Sequence, residues 1–475
     1  MTDALIIGSG PNGLAAAIRL AQAGFSVRVF ERAETYGGGI RSDELTRPGF
    51  IHDVCSAIHP LGLASPFLRT LPLADFGLEW VLPEIPFAHA FSPDEAVLVH
   101  RDLARAAESF GGDGRAYLRL MRPYVENWQG LMDDYLGPLP FPPKHPILMA
   151  RFGLTALQSA TGLARRRFSD PRTRSAFAGA AAHSMLPLEM LTAAGFGMML
   201  SVLAHGVGWP MAKGGSRSIA AAMVAHLESL GGVVETGREI SSMEELPDAG
   251  FVLLDTTPKS VLQILGDRLE RGYARALRRY RYGPGVCKVD WALSEPIPWK
   301  DPNFARTATV HIGGPLDQVA ASERAVWEGK FSDHPYMILV QHSLFDPSRA
   351  PEGGHTAWAY CHTPAGSAED VSDRLEAEIE TYAPGFRETI LARSSKTAVE
   401  MERYNPNYVG GDINGGVQNL RQLFTRPAIR LNPYRIPGSF DGRKMYICSS
   451  ATPPGGGVHG MCGFFAAETV IRDAG

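Results

Sequence analysis

The side chains in this sequence that could do chemistry are few. Lys288 stands in an otherwise apolar run, Val286 to Leu293, where a lysine is seldom buried without a partner; it either serves a site or pairs with Asp290 or solvent. His59 and His459 could each relay a proton, since an imidazole titrates near neutrality, and each equally suits a satisfied structural histidine. In Gly410-Gly411-Asp412-Ile413-Asn414-Gly415-Gly416, Asp412 and Asn414 either shape a turn or close a tunnel by hydrogen bonds. His355, Trp358, Tyr360 and His362 lie along one strand, so two of them face a pocket or the row faces solvent. The five cysteines are scattered and contain no C-x-x-C pair. A redox dithiol is therefore excluded, a metal site is not expected, and a reducing compartment is the natural reading.

Redox chemistry would have to come from a bound cofactor, and the N-terminus is built for one. Ala4 to Ile7 is a short apolar run, Gly8 to Gly13 opens a helical run from Leu14 to Ala23 that stops at Gly24, and Ser26 to Phe30 is a second strand ended by Glu31. This is a G-x-G-x-x-G fingerprint in its strand, turn, helix and strand context, with an acid 21 positions after Gly10. Gly8 permits the turn, Gly10 lets the backbone approach a pyrophosphate, and Gly13 allows close packing of helix on strand. Pro11, Asn12 and Arg32 flank the site, and the helix N-terminus supplies N–H groups and partial positive charge. Glu31 would accept hydrogen bonds from ribose hydroxyls and repel a 2′-phosphate. NAD and FAD both fit to this point.

A second glycine turn follows at Gly37-Gly38-Gly39-Ile40-Arg41-Ser42. With it, the opening "FERAETYGGGIRS" resembles the FAD-binding start of the phytoene desaturase and flavin amine oxidase superfamily. The C-terminal strand, the turn Pro453-Pro454-Gly455-Gly456-Gly457-Val458-His459-Gly460 and the helical run from Phe464 to Ile471 resemble that superfamily's closing segment. The stretch from Gly208 to Ile240, with Gly214-Gly215 before a helix, resembles its middle return to the cofactor. The segments "HDVCSAIHPLG", "GPGVCKVDWALSEPIPW", "PEGGHTAWAYCHTP", "GGDINGG" and "PPGGGVHGMCG" narrow the resemblance to a phytoene-desaturase-related branch that includes pyridine nucleotide-disulfide oxidoreductase domain proteins. The disulfide chemistry in that name is excluded here by the absent C-x-x-C. The resemblance implies FAD, with Gly38, Gly39, Arg41, Ile240, Gly456, Gly457 and Val458 among its contacts. It also implies that Lys288 holds a water near flavin N5, and that His459 and His59 lie close to the flavin.

The fold expected is α/β: a Rossmann-type FAD-binding domain interleaved with a substrate domain of mixed sheet plus helices. The first takes residues 1–82, 208–281 and 404–475; the second takes 83–207, which is helix-rich with a loop over Pro138 to Pro146, and 282–403, which should form a sheet over the flavin. At 475 residues the chain is too long for one ordinary core. Its net charge of −4 makes nucleic acid an unexpected partner, and 45% hydrophobic with 20% charged residues fits neither a disordered chain nor a membrane bundle. The chain is expected to begin at Met1 without a leader and to be cytoplasmic. Met190 to Ala212 lacks Asp, Glu, Lys and Arg and approaches the ~20 residues of a bilayer span. Gly195, Gly197, Gly206, Gly208 and Pro210 interrupt it, so the expectation is a buried helix lining an apolar tunnel opposite the strand that bears Lys288. Three functions follow: a dehydrogenase, desaturase or oxidase taking hydride from an apolar substrate to flavin N5, with O2 or a quinone as acceptor; an oxidase of C–N bonds; or a flavin-binding interaction protein without turnover. Peripheral membrane contact and homo-oligomerisation stay open.

Overall fold

Four apolar residues, Ala4–Ile7, form the central strand of a five-stranded parallel sheet in a computed structural model that describes residues 2–138 and 143–475. All four are buried, as expected where helices cover both faces of a parallel sheet. The order across the sheet is Lys444–Ile447, Phe251–Leu254, Ala4–Ile7, Val27–Phe30 and Val233–Glu235. Register matters more than order here. Ile7 lies beside both Phe30 and Leu254, so Gly8, Glu31 and Asp255 leave the sheet together at its carboxyl edge, where ligands bind in open parallel sheets.

The helix Pro11–Gln22 starts with proline in its first turn, and its N-cap, Gly10, has no side chain to cap it, so its N-terminal dipole faces the turn. Its Leu14, Ile18 and Leu20 are fully buried, each contributing roughly 1.5–3 kcal/mol. The helix packs on Met461–Ala474 so closely that a Cβ on Gly463 would lie 1.8 Å from the carbonyl oxygen of Asn12. The first and last segments of the chain thus meet at the same turn.

A second sheet has seven strands in the order Ile390–Lys396, Gly285–Leu293, His355–Thr363, Met337–Val340, Thr307–Ile312, Ile85–Ser92 and Glu95–Val99. It is antiparallel except where Thr307–Ile312 runs parallel to Ile85–Ser92. The hairpin 85–99 was not expected in a helix-rich segment; it is held by a strand more than 200 residues away, a pairing no local pattern encodes. Residues 139–142 of the expected Pro138–Pro146 loop lie outside the described residues, and a helix starts at Pro146. Met190 to Ala212 contains the helix Ala193–Gly206, which is almost wholly buried. Among the described residues no helix is long and apolar enough to cross a membrane.

Candidate functional site

One cavity of about 490 Å³ runs from the fingerprint turn into the second sheet, within the range of small-molecule and cofactor sites. Gly8, Gly10, Pro11, Asn12, Glu31, Arg32, Gly38, Gly39, Arg41, Ile240, Gly456, Gly457 and Val458 all line it. Gly13 does not. A Cβ there would lie 2.1 Å from the carbonyl oxygen of Gly8, so Gly13 closes helix on turn, and its N–H donates to Asp255 Oδ2 at 2.9 Å. Gly38, at φ +54°, brings the second turn against the first: a Cβ on it would be 3.0 Å from Gly10 Cα. Ile240 reaches the cavity from irregular chain, because the expected strand ends at Glu235 and Arg238 N turns back to bond Glu31 O at 2.8 Å.

Glu31 is buried with four donors on its carboxylate. Oε2 accepts from Ser9 N and Ser9 Oγ, at 3.1 and 2.7 Å, and Oε1 from Ala33 N and Arg41 Nη2, at 2.9 and 3.1 Å. A carboxylate offers about four acceptor sites, so these are full. Arg41 also lies over the Tyr404 ring, 5.2 Å from its centroid, and its Nε is buried without a partner. Asp255, which sequence reading did not single out, also lines the cavity. Burial pushes its carboxyl up to about 7, with the nearby Glu31 charge adding to the shift and the Gly13 bond opposing it. Its only sequence signal was its place just after an apolar strand.

The residues present fit a dinucleotide. Asn12 Oδ1, Arg41 Nε and Thr256 Oγ1 line the cavity as buried polar atoms without partners, beside a glycine cradle that side chains would fill.

The three candidate catalytic residues separate. His59 lines the cavity and is buried, its Nε2 2.8 Å from Ser216 Oγ. Ser216 gives its own proton to Ser56 O at 2.6 Å, so it accepts from His59 Nε2–H, and Nδ1 is left as the basic atom. His459 lies outside the lining; its Nδ1 accepts from Met461 N at 3.0 Å at the start of the last helix. Burial pushes both imidazoles down to about 4, which corrects the expectation of titration near neutrality. Lys288 is also outside the lining. Its ammonium pairs with Asp290 and lies 5.5 Å from the Trp358 ring centroid, behind the wall that Trp358 forms.

That wall belongs to the second sheet. Trp358 and Tyr360 line the cavity, whereas His355 bonds Ser343 and His362 bonds Glu323. Phe196, Met199 and Leu200 face them from the buried helix. Asn414 lines the cavity, while Asp412 is a turn former, accepting from Gly283 N, Asn414 N and Gly416 N. His183 enters the same end with Nε2 3.0 Å from His311 Nε2. Burial drives both imidazoles far down, so each is neutral and one donates to the other. These two come from different elements 128 residues apart, and no spacing announced them. All five cysteines are free thiols. Among the described residues no cluster of His, Cys, Asp and Glu could hold a metal ion.

Residues 6–71 match the family described as NAD(P)-binding Rossmann-like domain. Over 99% of its length the chain is 26% identical to pyridine nucleotide-disulfide oxidoreductase domain-containing protein 2 of Rattus norvegicus, covering 93% of that protein. It is 24% identical to the lycopene-forming phytoene desaturase of Paracoccus sp., covering 98% of this chain and 96% of the relative. Its fold is similar to that of cyclohexylamine oxidase from Brevibacterium oxydans, with a TM-score of 0.61 at 13% identity, over 100% of this chain and 99% of that one. Along nearly its whole length the chain is thus similar in sequence to pyridine nucleotide-disulfide oxidoreductase domain-containing protein 2 and to a phytoene desaturase, and in fold to an amine oxidase.

Proposed function

We propose that the protein is an FAD-dependent oxidoreductase that removes hydride from an apolar organic substrate, as a dehydrogenase, desaturase or oxidase. The observation that carries this reading is the continuity of one cavity, from the Glu31 and Gly10 turn to an apolar end walled by Phe196, Met199, Leu200, Trp358 and Tyr360. A bound flavin would supply the two-electron acceptor. Glu31 and Arg32 would hold the ribose and adenine side, Gly10, Gly38 and Arg41 the diphosphate, and Gly456 to Val458 the ring side. A ribose hydroxyl on Glu31 must take the place of one present donor. Arg41, with one nitrogen already unpartnered, is the side chain best able to yield and to meet the diphosphate.

The apolar walls exclude water and orient the reacting C–H bond. His59, kept neutral by burial and with Nδ1 3.5 Å from Ser56 Oγ, offers an acceptor at the cavity wall. Lys288 acts from behind, fixing the strand under Trp358. Amine oxidation is the second reading, favoured by the likeness to cyclohexylamine oxidase. Against it, none of the described residues lining the apolar end is acidic, so a substrate ammonium would be desolvated without a counter-charge. Screening polyenes against amines for anaerobic bleaching of the flavin tests the choice. Bleaching by amines alone would overturn the first reading, and dithionite reduction with no active substrate class would support a non-catalytic binder. Reoxidation by O2 compared with quinones would identify the acceptor.

A further inference from the structure

Away from this cavity the surface carries a concentration of charge that the net −4 of the chain conceals. The helix Arg271–Arg278 presents Arg275 and Arg278, and Arg279 and Arg281 follow it. Opposite, across a separate cavity of about 380 Å³, the segment 419–431 presents Arg421 and Arg430. All six are exposed, and among the described residues none of them is ion-paired. The neighbouring Arg268 and Arg435, in contrast, are matched to Glu244 and Asp441 and to Asp473. Glu270 is the one acid among the described residues lining this cavity.

Two further features make it more than a solvated face. Tyr273 lines the cavity at 3% exposure, and its hydroxyl is buried without a partner. Beside the arginines, Ile429 is 83% exposed, Leu431 109% and Phe424 53%. Protruding aliphatic side chains have no reason to sit in water next to a cationic cavity unless something covers both. The two arms are locked together: Arg281 N donates to Gln422 Oε1 at 3.0 Å, and Arg281 O accepts from Gln422 Nε2 at 2.8 Å and Val417 N at 3.0 Å.

We propose that this face docks on an anionic phospholipid surface. The cavity takes a headgroup phosphate from Arg279, Arg281 and Arg430, and Ile429 and Leu431 enter the acyl boundary. Guanidinium groups match phosphate oxygens in pairs, and apolar residues flanked by arginine are the pattern of an interfacial contact. The stretch 190–212, the sequence's own candidate for membrane contact, has its apolar residues mostly buried and cannot serve. The proposal is independent of the flavin reading, since neither arm lines the first cavity.

Flotation of the intact protein with phosphatidylcholine vesicles, with and without phosphatidylglycerol, tests it. Binding is expected only with the anionic lipid and should weaken as salt is raised. Each arginine near such a surface is worth about fivefold, so R279Q/R281Q/R430Q should bind about a hundredfold more weakly. I429S/L431S should also bind more weakly, and both variants should keep the wild-type melting temperature. No flotation, equal flotation with both lipids, or an arginine variant that binds as wild type would overturn the proposal. Calorimetry with inorganic phosphate separates the other source: phosphate binding lost in the arginine variant, without flotation of the wild type, would assign the site to a soluble anion.

Discussion

Replacing Gly10 by alanine should destabilise the protein through Asp255, and a double-mutant cycle can isolate that route. Gly10 has φ −65° and ψ 173°, which any L residue adopts, so backbone strain is not the cost. The new Cβ would instead stand 2.8 Å from Asp255 Oδ2, too close for contact, and that oxygen is the acceptor of the Gly13 N–H. Moving it leaves a buried donor unsatisfied, a loss of about 1–3 kcal/mol. Asp255→Ala alone incurs the same loss, but it also removes the obstacle. The double variant should therefore be no less stable than Asp255→Ala, a coupling of about 1–3 kcal/mol. Chemical denaturation of the cofactor-free protein at one pH gives the three differences, and the proton that Asp255 sheds on unfolding at pH 6 is common to the parent and Gly10→Ala and so cancels in the cycle. Effects that add to within about 0.5 kcal/mol would refute the contact as the cause. Gly10→Val carries the argument into the cavity, because its extra methyl groups reach where a diphosphate would lie. Stoichiometric FAD in that variant would show the phosphate turn to be misplaced.

Asp255 also makes stability depend on pH. Unfolded, it titrates at its ordinary 3.8; folded, it titrates at about 7, so between these values the folded protein keeps a proton that the unfolded chain has shed. Stability should fall as pH rises from about 4 to 7 and level off above, by as much as about 4 kcal/mol. Asp255→Asn should flatten that slope in pH-dependent melting curves, and an unchanged slope would contradict the assignment. Met199 is 2% exposed and lines the apolar end, so Met199→Lys should slow substrate reduction of the flavin by more than about a hundredfold while flavin stays bound. Wild-type turnover with normal stability would mean that the substrate path lies elsewhere. Lys288→Met should cost about 3–5 kcal/mol by leaving Asp290 buried with only the imidazole of His52 beside it, whereas Lys288→Met with Asp290→Leu should recover most of it. A melting temperature unmoved by Lys288→Met would argue against the pair.

The glycine-turn end of the cavity was legible in the sequence because its geometry is local: one strand, one glycine turn, one helix and an acid on the adjacent strand fix Gly8, Gly10 and Glu31 relative to one another. The resemblance extended this to Gly38, Arg41 and Gly456, whose positions depend on distant segments meeting at the Pro11–Gln22 helix. Asp255 escaped because nothing in its own neighbourhood signals that the register of Leu254 with Ile7 carries it to the same edge. The apolar end of the cavity was legible only as composition. The apolar character of 190–212 was plain, and Trp358 and Tyr360 were half of an alternating row. His183 and His311 meet through tertiary packing alone. Lys288 and His459 are the converse case, conspicuous by type yet satisfied by Asp290 and Met461 in the folded chain.

The central claim is that the long cavity holds FAD, and the direct measurement is identification of the cofactor released by acid from the purified protein. One FAD per chain is the predicted result, with little affinity for NADP because Glu31 repels a 2′-phosphate. A colourless protein that cannot be reconstituted with FAD, or one that binds a nicotinamide dinucleotide in its place, would contradict it.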